Sequence, residues 1–332
     1  MSMEYRFLGT TGVRVSHLAM GTMTFGKEAD ESLSANLFAQ ALEAGVNVFD
    51  CANVYAAGRS EEILGRLAAP VRDQVVLTSK VYFPTSTDRN ARGTSRYHMV
   101  RAVEASLRRL GTDRIDVYYL HRFDDCTALE ESLRGLELLV SQGKVLYPAA
   151  SNFAAWQTMK AIGLAERQGW AKLTCIQPMY NLVKRQAEVE LLPLAQAEGL
   201  GVMNYSPLGG GLLSGKYGQQ ARPAAGRLVD NAMYQERYRE AQYYETAERF
   251  TALAKEWGHH PASLAIAWTA AHPAVTSTLV GARSAEQLKT CLAAADIHLS
   301  SEQRAAISAL SQEPAPATDR NEEATAHNYG SR

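Results

Sequence analysis

An excess of either charge is missing: 34 Lys and Arg against 35 Asp and Glu leave a net charge of −1 over 332 residues. Without a basic surplus, neither nucleic acid nor an anionic membrane surface is an expected partner. The N-terminus has no long apolar run and no basic segment leading into one, so neither a signal peptide nor a transmembrane helix is expected. Cysteine is scarce. The four residues Cys51, Cys126, Cys175 and Cys291 lie far apart with no CxxC pair, which reads as a reduced, cytoplasmic protein with free thiols. Eight histidines include no HxH or HExxH spacing, so no metal is expected. No GxGxxG turn occurs, which removes the usual mark of a doubly wound dinucleotide-binding sheet. What the chain has in quantity is apolar residue, at 46%, ample for a large core.

That apolar content is distributed in an alternating pattern. Tyr5–Leu8 and Val13–His17 flank Gly9-Thr10-Thr11-Gly12 and read as a β-hairpin. Eight strand candidates follow: Leu18–Gly21, Val46–Asp50, Val75–Lys80, Asp116–His121, Val145–Ala150, Thr174–Gln177, Gly201–Tyr205 and Ser277–Val280. Between them helical patterns run near 31–44, 59–69, 95–110, 129–142, 153–169, 185–198 and 240–272, with a last repeat over Ser284–Ala294. The strands are short and apolar throughout, as strands covered by helices on both faces are. Strands alternating with helices imply βαβ units, and eight units predict a closed (β/α)₈ TIM barrel. The barrel domain is expected over 1–311, with a polar, Pro-containing tail over 312–332. One segment breaks the repeat. Residues 216–245, after the seventh strand, are long, polar and rich in Arg and Tyr, which predicts a functional loop.

In such a barrel the chemistry sits at the carboxyl ends of the strands. Asp50 closes the second strand, Lys80 the third and His121 the fourth, while Tyr55 follows Asp50 by five residues and can fold back over the mouth. A carbonyl that receives hydride develops negative charge on oxygen and needs a proton. A phenol can supply it, and an adjacent ammonium stabilises the phenolate and pulls down a pKa that is ordinarily about 10. An Asp–Lys pair would hold the ammonium, and a histidine could orient the carbonyl. Taken singly, each residue has a plain alternative: a solvated strand-end charge, an aromatic loop residue, a buried histidine partnered by Asp124 or Asp125. Four complementary groups on three successive strand ends point to an oxidoreductase instead.

These residues lie in blocks that resemble the aldo-keto reductase superfamily, especially its aryl-alcohol-dehydrogenase-like and potassium-channel-β-subunit-like branches. The blocks are FDCANVYAAGRSEEILG (49–65), LTSK (77–80), SLRRLGTDRIDVYYLHRFD (106–124), SNF (151–153), QPMYNLVKR (177–185), YSPLGGGLLSGKY (205–217) and VGARSAEQL (280–288), so the resemblance runs from about Tyr5 to Leu292. It implies a barrel that binds NADPH without a Rossmann motif and a catalytic tetrad of Asp50, Tyr55, Lys80 and His121. NADH is the less favoured cofactor, and the implied substrate is a small-molecule carbonyl or alcohol.

The same resemblance assigns a cofactor site. Gly21 and Thr22 would lie near the nicotinamide together with Asp50. Ser151, Asn152 and Gln177 would hydrogen-bond its carboxamide, and Tyr205 would stack on the ring. Ser206, Leu208, Gly210 and Lys216 would line the pyrophosphate, with Arg227 as a further cation. The stretch Gly210–Tyr217 nearly completes a Walker A motif, but Tyr217 stands where Ser or Thr should bind magnesium, which argues against an ATPase. Gly281 and Arg283 precede a helix and would grip a 2′-phosphate, with Gln287 contacting adenosine. Thr290 and Cys291 depart from the Glu and Asn common in relatives, and Leu146–Ala150 departs from their fifth-strand pattern.

Met23, Tyr82, Phe83 and Phe123, with Phe153, are the expected substrate pocket, apolar and aromatic enough for a bulky carbonyl. Arg89, Arg92 and Arg96 could meet an anionic group but read more simply as a solvated basic face. Two other functions fit parts of the pattern. An NADPH-binding regulatory subunit would keep the cofactor residues with little turnover. A Schiff-base aldolase would use Lys80 but has no use for a nucleotide site.

Overall fold

The computed structural model describes residues 3–327. A two-stranded antiparallel hairpin, β1 (Tyr5–Phe7) and β2 (Arg14–Ser16), precedes eight parallel strands. These are β3 (Leu18–Gly21), β4 (Val48–Asp50), β5 (Val76–Val81), β6 (Ile115–Leu120), β7 (Val145–Ser151), β8 (Cys175–Gln177), β9 (Gly201–Asn204) and β10 (Ser277–Val280). They follow one another around a closed barrel in which β10 pairs with both β9 and β3. The expected (β/α)₈ barrel with its N-terminal hairpin is therefore the fold.

The barrel interior is filled by Ala19, Val48, Val117, Tyr119, Ala149, Cys175, Met203 and Leu279. Leu8 and Val15 of the hairpin region join this cluster from below. The fit there is close: a Cβ on Gly9, whose φ is +54°, would lie 2.5 Å from the Gly199 carbonyl oxygen. The hairpin thus stoppers the amino-terminal end and leaves the carboxyl end for a site. One strand is unexpected in detail. Pro148 sits inside β7, a position where a missing N–H should cost a ladder bond. Its carbonyl is used twice instead, accepting from the backbone N–H (2.9 Å) and the hydroxyl (3.1 Å) of Thr174.

Helices cover the barrel much as the apolar periodicity predicts, with three differences. The pattern over 240–272 is two helices, Ala241–Glu256 and Pro261–Ala270. Gly258 takes a left-handed φ of +74° and Pro261 opens the second helix, so the periodicity continued across a real break. The pattern over 185–198 narrows to Leu191–Ala197, preceded by a single 3₁₀ turn over Gln186–Glu188. The segment after β9 is not a structureless loop. It carries short helices at Arg227–Asp230 and Ala232–Arg237, fastened to the barrel by buried Leu228, Tyr234 and Tyr238. A helix over Ser301–Ser308, capped by Ser300, was not expected. The polar tail is described as far as 327 and is irregular apart from a 3₁₀ turn over Asn321–Ala324; residues 328–332 lie outside the described residues.

Candidate active site

Strand register explains how the catalytic candidates meet. Asp50 on β4 is level with Thr78 on β5, and Lys80, two residues further on, points to the same side. The intervening Ser79 points outward and donates to buried Glu61 at 2.5 Å, which Arg109 also holds. Inward, Lys80 Nζ lies 2.5 Å from Asp50 Oδ2, 2.7 Å from the Cys51 carbonyl and 3.5 Å from Tyr55 Oη. The lysine is fully buried. Asp50 Oδ1 accepts from the Thr78 hydroxyl (2.6 Å) and from Gln177 Nε2 (3.0 Å). A buried ion pair is tolerable only when its remaining lone pairs and protons are satisfied, and here they are.

Electrostatics follow from that burial. Desolvation opposes a charged Lys80, but Asp50 and Tyr55 outweigh it and raise its pKa, so the ammonium persists. Tyr55 is pushed up to about 12, because desolvation exceeds the opposing pull of Lys80. The expected lowering by the ammonium is present in sign but is not the net result. The ring of His121 stands edge-on to Tyr55 and to Phe83, at 6.1 and 4.9 Å between centroids. Burial, and secondarily Lys80, lower its pKa to about 3, so it is neutral. Its Nδ1 is buried without a hydrogen-bond partner among the described residues.

A cleft of about 1000 Å³ opens above this cluster and runs to the helix after β10. Asp50, Tyr55 and His121 line its deep end, with Gly21, Ser151, Asn152, Gln177 and Tyr205. Tyr205 Oη donates to Asn152 Oδ1 at 2.6 Å, and Asn152 Nδ2 donates to the His121 carbonyl at 2.9 Å. Asn152 and Ser206 hold φ of +55° and +58° at the ends of β7 and β9, a conformation that costs free energy and collects at functional sites. Ser206, Leu208, Gly210, Lys216 and Arg227 line the middle of the cleft, and Gly281, Arg283 and Gln287 the far end. Gln287 accepts from the Arg283 backbone N–H at 3.0 Å and so braces this turn.

Two candidates lie elsewhere. Thr22 is buried behind the cleft, its backbone N–H and hydroxyl both donating to the Asp50 carbonyl, at 2.9 and 3.0 Å. Tyr82 does not line the cleft. Its ring packs against Phe83 and under Arg122, whose guanidinium carbon lies 5.1 Å from it. Met23, Phe83 and Phe123 do line it, while Phe153 packs behind Phe123 at 5.3 Å. Arg96 is paired with Glu131, and neither Arg89 nor Arg92 reaches the cleft.

The family model described as "Aldo/keto reductase family" matches residues 17–312. The chain belongs to the aldo/keto reductase family. The chain is 40% identical over 311 residues to a Bacillus subtilis protein named "Uncharacterized oxidoreductase YrpG", covering 90% of this chain and 93% of that one. It is 36% identical over 304 residues to a rice protein and 35% over 304 residues to an Arabidopsis thaliana protein, both named "Probable voltage-gated potassium channel subunit beta". Each alignment spans 89% of this chain and 92% of the relative. Family membership carries an oxidoreductase role on carbonyl compounds and an NAD(P)H site.

The residues present suit that cofactor. Among the described residues Lys216, Arg227 and Arg283 have no carboxylate partner, and all three face the cleft. Gly210 takes φ +70°, and a Cβ there would come within 2.7 Å of the Tyr234 ring, so the turn lies close under the segment above it. Sequence reasoning missed several members of this aldo/keto reductase site. Thr78, the second support of Asp50, stood beside Lys80 in the same block without its role being read. Tyr217, Tyr234 and Arg237 of the covering segment and His260 of the helix break also line the cleft. The abundance of Arg and Tyr over 216–245 was the signal for the first three. None marked His260.

Proposed function

We propose that the protein is an NADPH-dependent reductase interconverting an aldehyde or ketone with its alcohol, with Tyr55 as general acid. The observation that carries this is the fully buried Lys80–Asp50 pair at 2.5 Å with the Tyr55 hydroxyl 3.5 Å from the same ammonium. Ser151, Asn152, Gln177 and Tyr205 would hold the nicotinamide end, Lys216 and Arg227 the pyrophosphate, and Arg283 the 2′-phosphate. When bound, the reduced nicotinamide supplies hydride to the carbonyl carbon.

At neutral pH a phenol pushed to about 12 is protonated, the form that can give a proton to the carbonyl oxygen. Lys80 stabilises the phenolate left behind, and Asp50 keeps Lys80 charged and in place. His121, neutral because burial holds its pKa near 3, offers its N–H to the same oxygen without competing as an acid. Met23, Phe83 and Phe123 give the substrate apolar walls, which favours a bulky or aromatic carbonyl. Arg283 supports NADPH over NADH: Glu286 faces the same end of the cleft but forms no ion pair with it, so the guanidinium stays available. Four free cysteines, three of them buried, support a reducing compartment such as the cytoplasm. Among the described residues no helix is long and apolar enough to cross a membrane.

Tyr55→Phe tests the role. The variant should lose at least about a hundredfold in kcat with aromatic aldehydes while its NADPH dissociation constant, read by fluorescence quenching, stays nearly unchanged. Equal loss of binding and turnover would remove Tyr55 from the chemistry. Wild-type protein that binds NADPH but turns over no aldehyde would favour the regulatory alternative.

A further inference from the structure

The segment over the cleft carries one cation that neither the catalytic set nor the phosphate contacts use. Arg237, the last residue of the helix Ala232–Arg237, is partly buried and lines the cleft. Its guanidinium carbon lies 5.1 Å from the centroid of Tyr234, and its one recorded hydrogen-bond contact is the Met233 sulfur at 3.8 Å. No carboxylate among the described residues pairs with it. Arg239, two residues on, is exposed and is bound to both Glu236 and Glu240. Carboxylates are therefore at hand on this segment, and they serve the solvated arginine rather than the one facing the cleft. A guanidinium drawn partly out of water with its N–H groups unused is an unfavourable arrangement unless an anion arrives from outside the chain.

Its position is at the catalytic end. Tyr234, on which it stacks, covers Gly210. Neighbouring Tyr238 accepts through its hydroxyl from Asn181, whose amide also donates to the Ser206 carbonyl beside Tyr205. Burial raises the pKa of Tyr205, and the Arg237 charge works against that rise, as a cation near the hydroxyl bound to Asn152 must. At the other end, burial and Tyr244 raise Tyr217 while Arg283 works against them. The two arginines thus act on opposite ends of one cleft. Arg122, which follows His121, is already engaged by Asp125 at 3.4 Å, the Phe123 carbonyl and the Tyr82 ring.

Resting on the carbonyl-reductase reading, we propose that Arg237 anchors an anionic substituent of the substrate, so that the preferred substrates are aromatic aldehydes or ketones bearing a carboxylate. The apolar walls of Met23, Phe83 and Phe123 take the ring, and the fork of Arg237 takes the carboxylate.

The test compares 4-carboxybenzaldehyde with its methyl ester, matched in ring and carbonyl, using wild type and Arg237→Gln. Wild type should favour the acid in kcat/KM, and the variant should lower the acid-to-ester ratio by about tenfold or more, through KM. In parallel, calorimetry measures benzoate and benzamide binding to the NADP⁺-loaded protein, and fluorescence quenching measures NADPH binding. Benzoate should bind more tightly than benzamide, with the preference lost in Arg237→Gln. An unchanged ratio in the variant, a wild-type preference for ester and amide, or an NADPH affinity weakened along with the ratio would each overturn the anchor, the last by making Arg237 a cofactor contact. If neither aldehyde is reduced but the benzoate preference depends on Arg237, the reductase reading fails and the anchor stands.

Discussion

At the deep end of the cleft the ionised groups are buried and matched: Lys80 against Asp50, with Thr78, Gln177 and the Cys51 carbonyl using their remaining hydrogen-bonding capacity. Toward the far end, Lys216, Arg227 and Arg283 face the same cleft with no carboxylate to meet them. The first group stands on adjacent barrel strands, the second on turns and on short helices laid over the mouth. The contrast separates two tasks. A proton-transfer centre must have its charges fixed before substrate arrives, so the protein completes them itself. A binding end for a polyanion must leave its cations unmatched, since an internal carboxylate would compete with the ligand.

The contrast predicts different consequences of mutation. Lys80→Met strips Asp50 of its buried partner and should cost about 3–5 kcal/mol of stability, read by urea unfolding, besides abolishing turnover. A variant as stable as wild type would mean that Asp50 is neutral or reached by water, and the contrast would weaken. Arg283→Gln should leave stability and kcat near wild type and raise the NADPH dissociation constant by about tenfold, with NADH binding little changed; equal weakening of both would place the residue away from the 2′-phosphate. The smallest effect expected is that of pH. With Tyr55 near 12 and His121 near 3, kcat/KM for reduction should show no step from either group between about pH 5 and 9. In the alcohol-oxidising direction the phenolate is the working form, so the rate should climb as pH rises toward the phenol's pKa. A step near pH 7 in reduction would show that His121 titrates and that water enters the deep end.

The deep end was the legible part of the sequence, for a physical reason. Strands covered on both faces are continuous apolar runs, so their ends are marked by the first polar residues after them, and Asp50, Lys80 and His121 are those residues. The barrel followed from the same alternation. Position on a strand does not reveal which way competing fields resolve. Lys80 was rightly taken to pull the Tyr55 pKa down, but desolvation is the larger effect and depends on packing that no local pattern encodes. Thr22 was drawn to the cofactor by its neighbours in sequence, whereas its hydroxyl is spent on the Asp50 carbonyl. The covering segment was the least legible. Its short helices are held by Leu228, Tyr234 and Tyr238 docking on distant residues, so their order comes from tertiary contact rather than local preference.

The stopper beneath the barrel has a kinetic consequence. With Leu8 and Val15 wedged into the lower opening and Gly9 backed onto Gly199, the tube is blind, and its bore is packed with side chains. Whatever reaches Tyr55 must come and go through the one upper doorway. Arrival and departure there are queued events, and the covering helices stand where the queue forms.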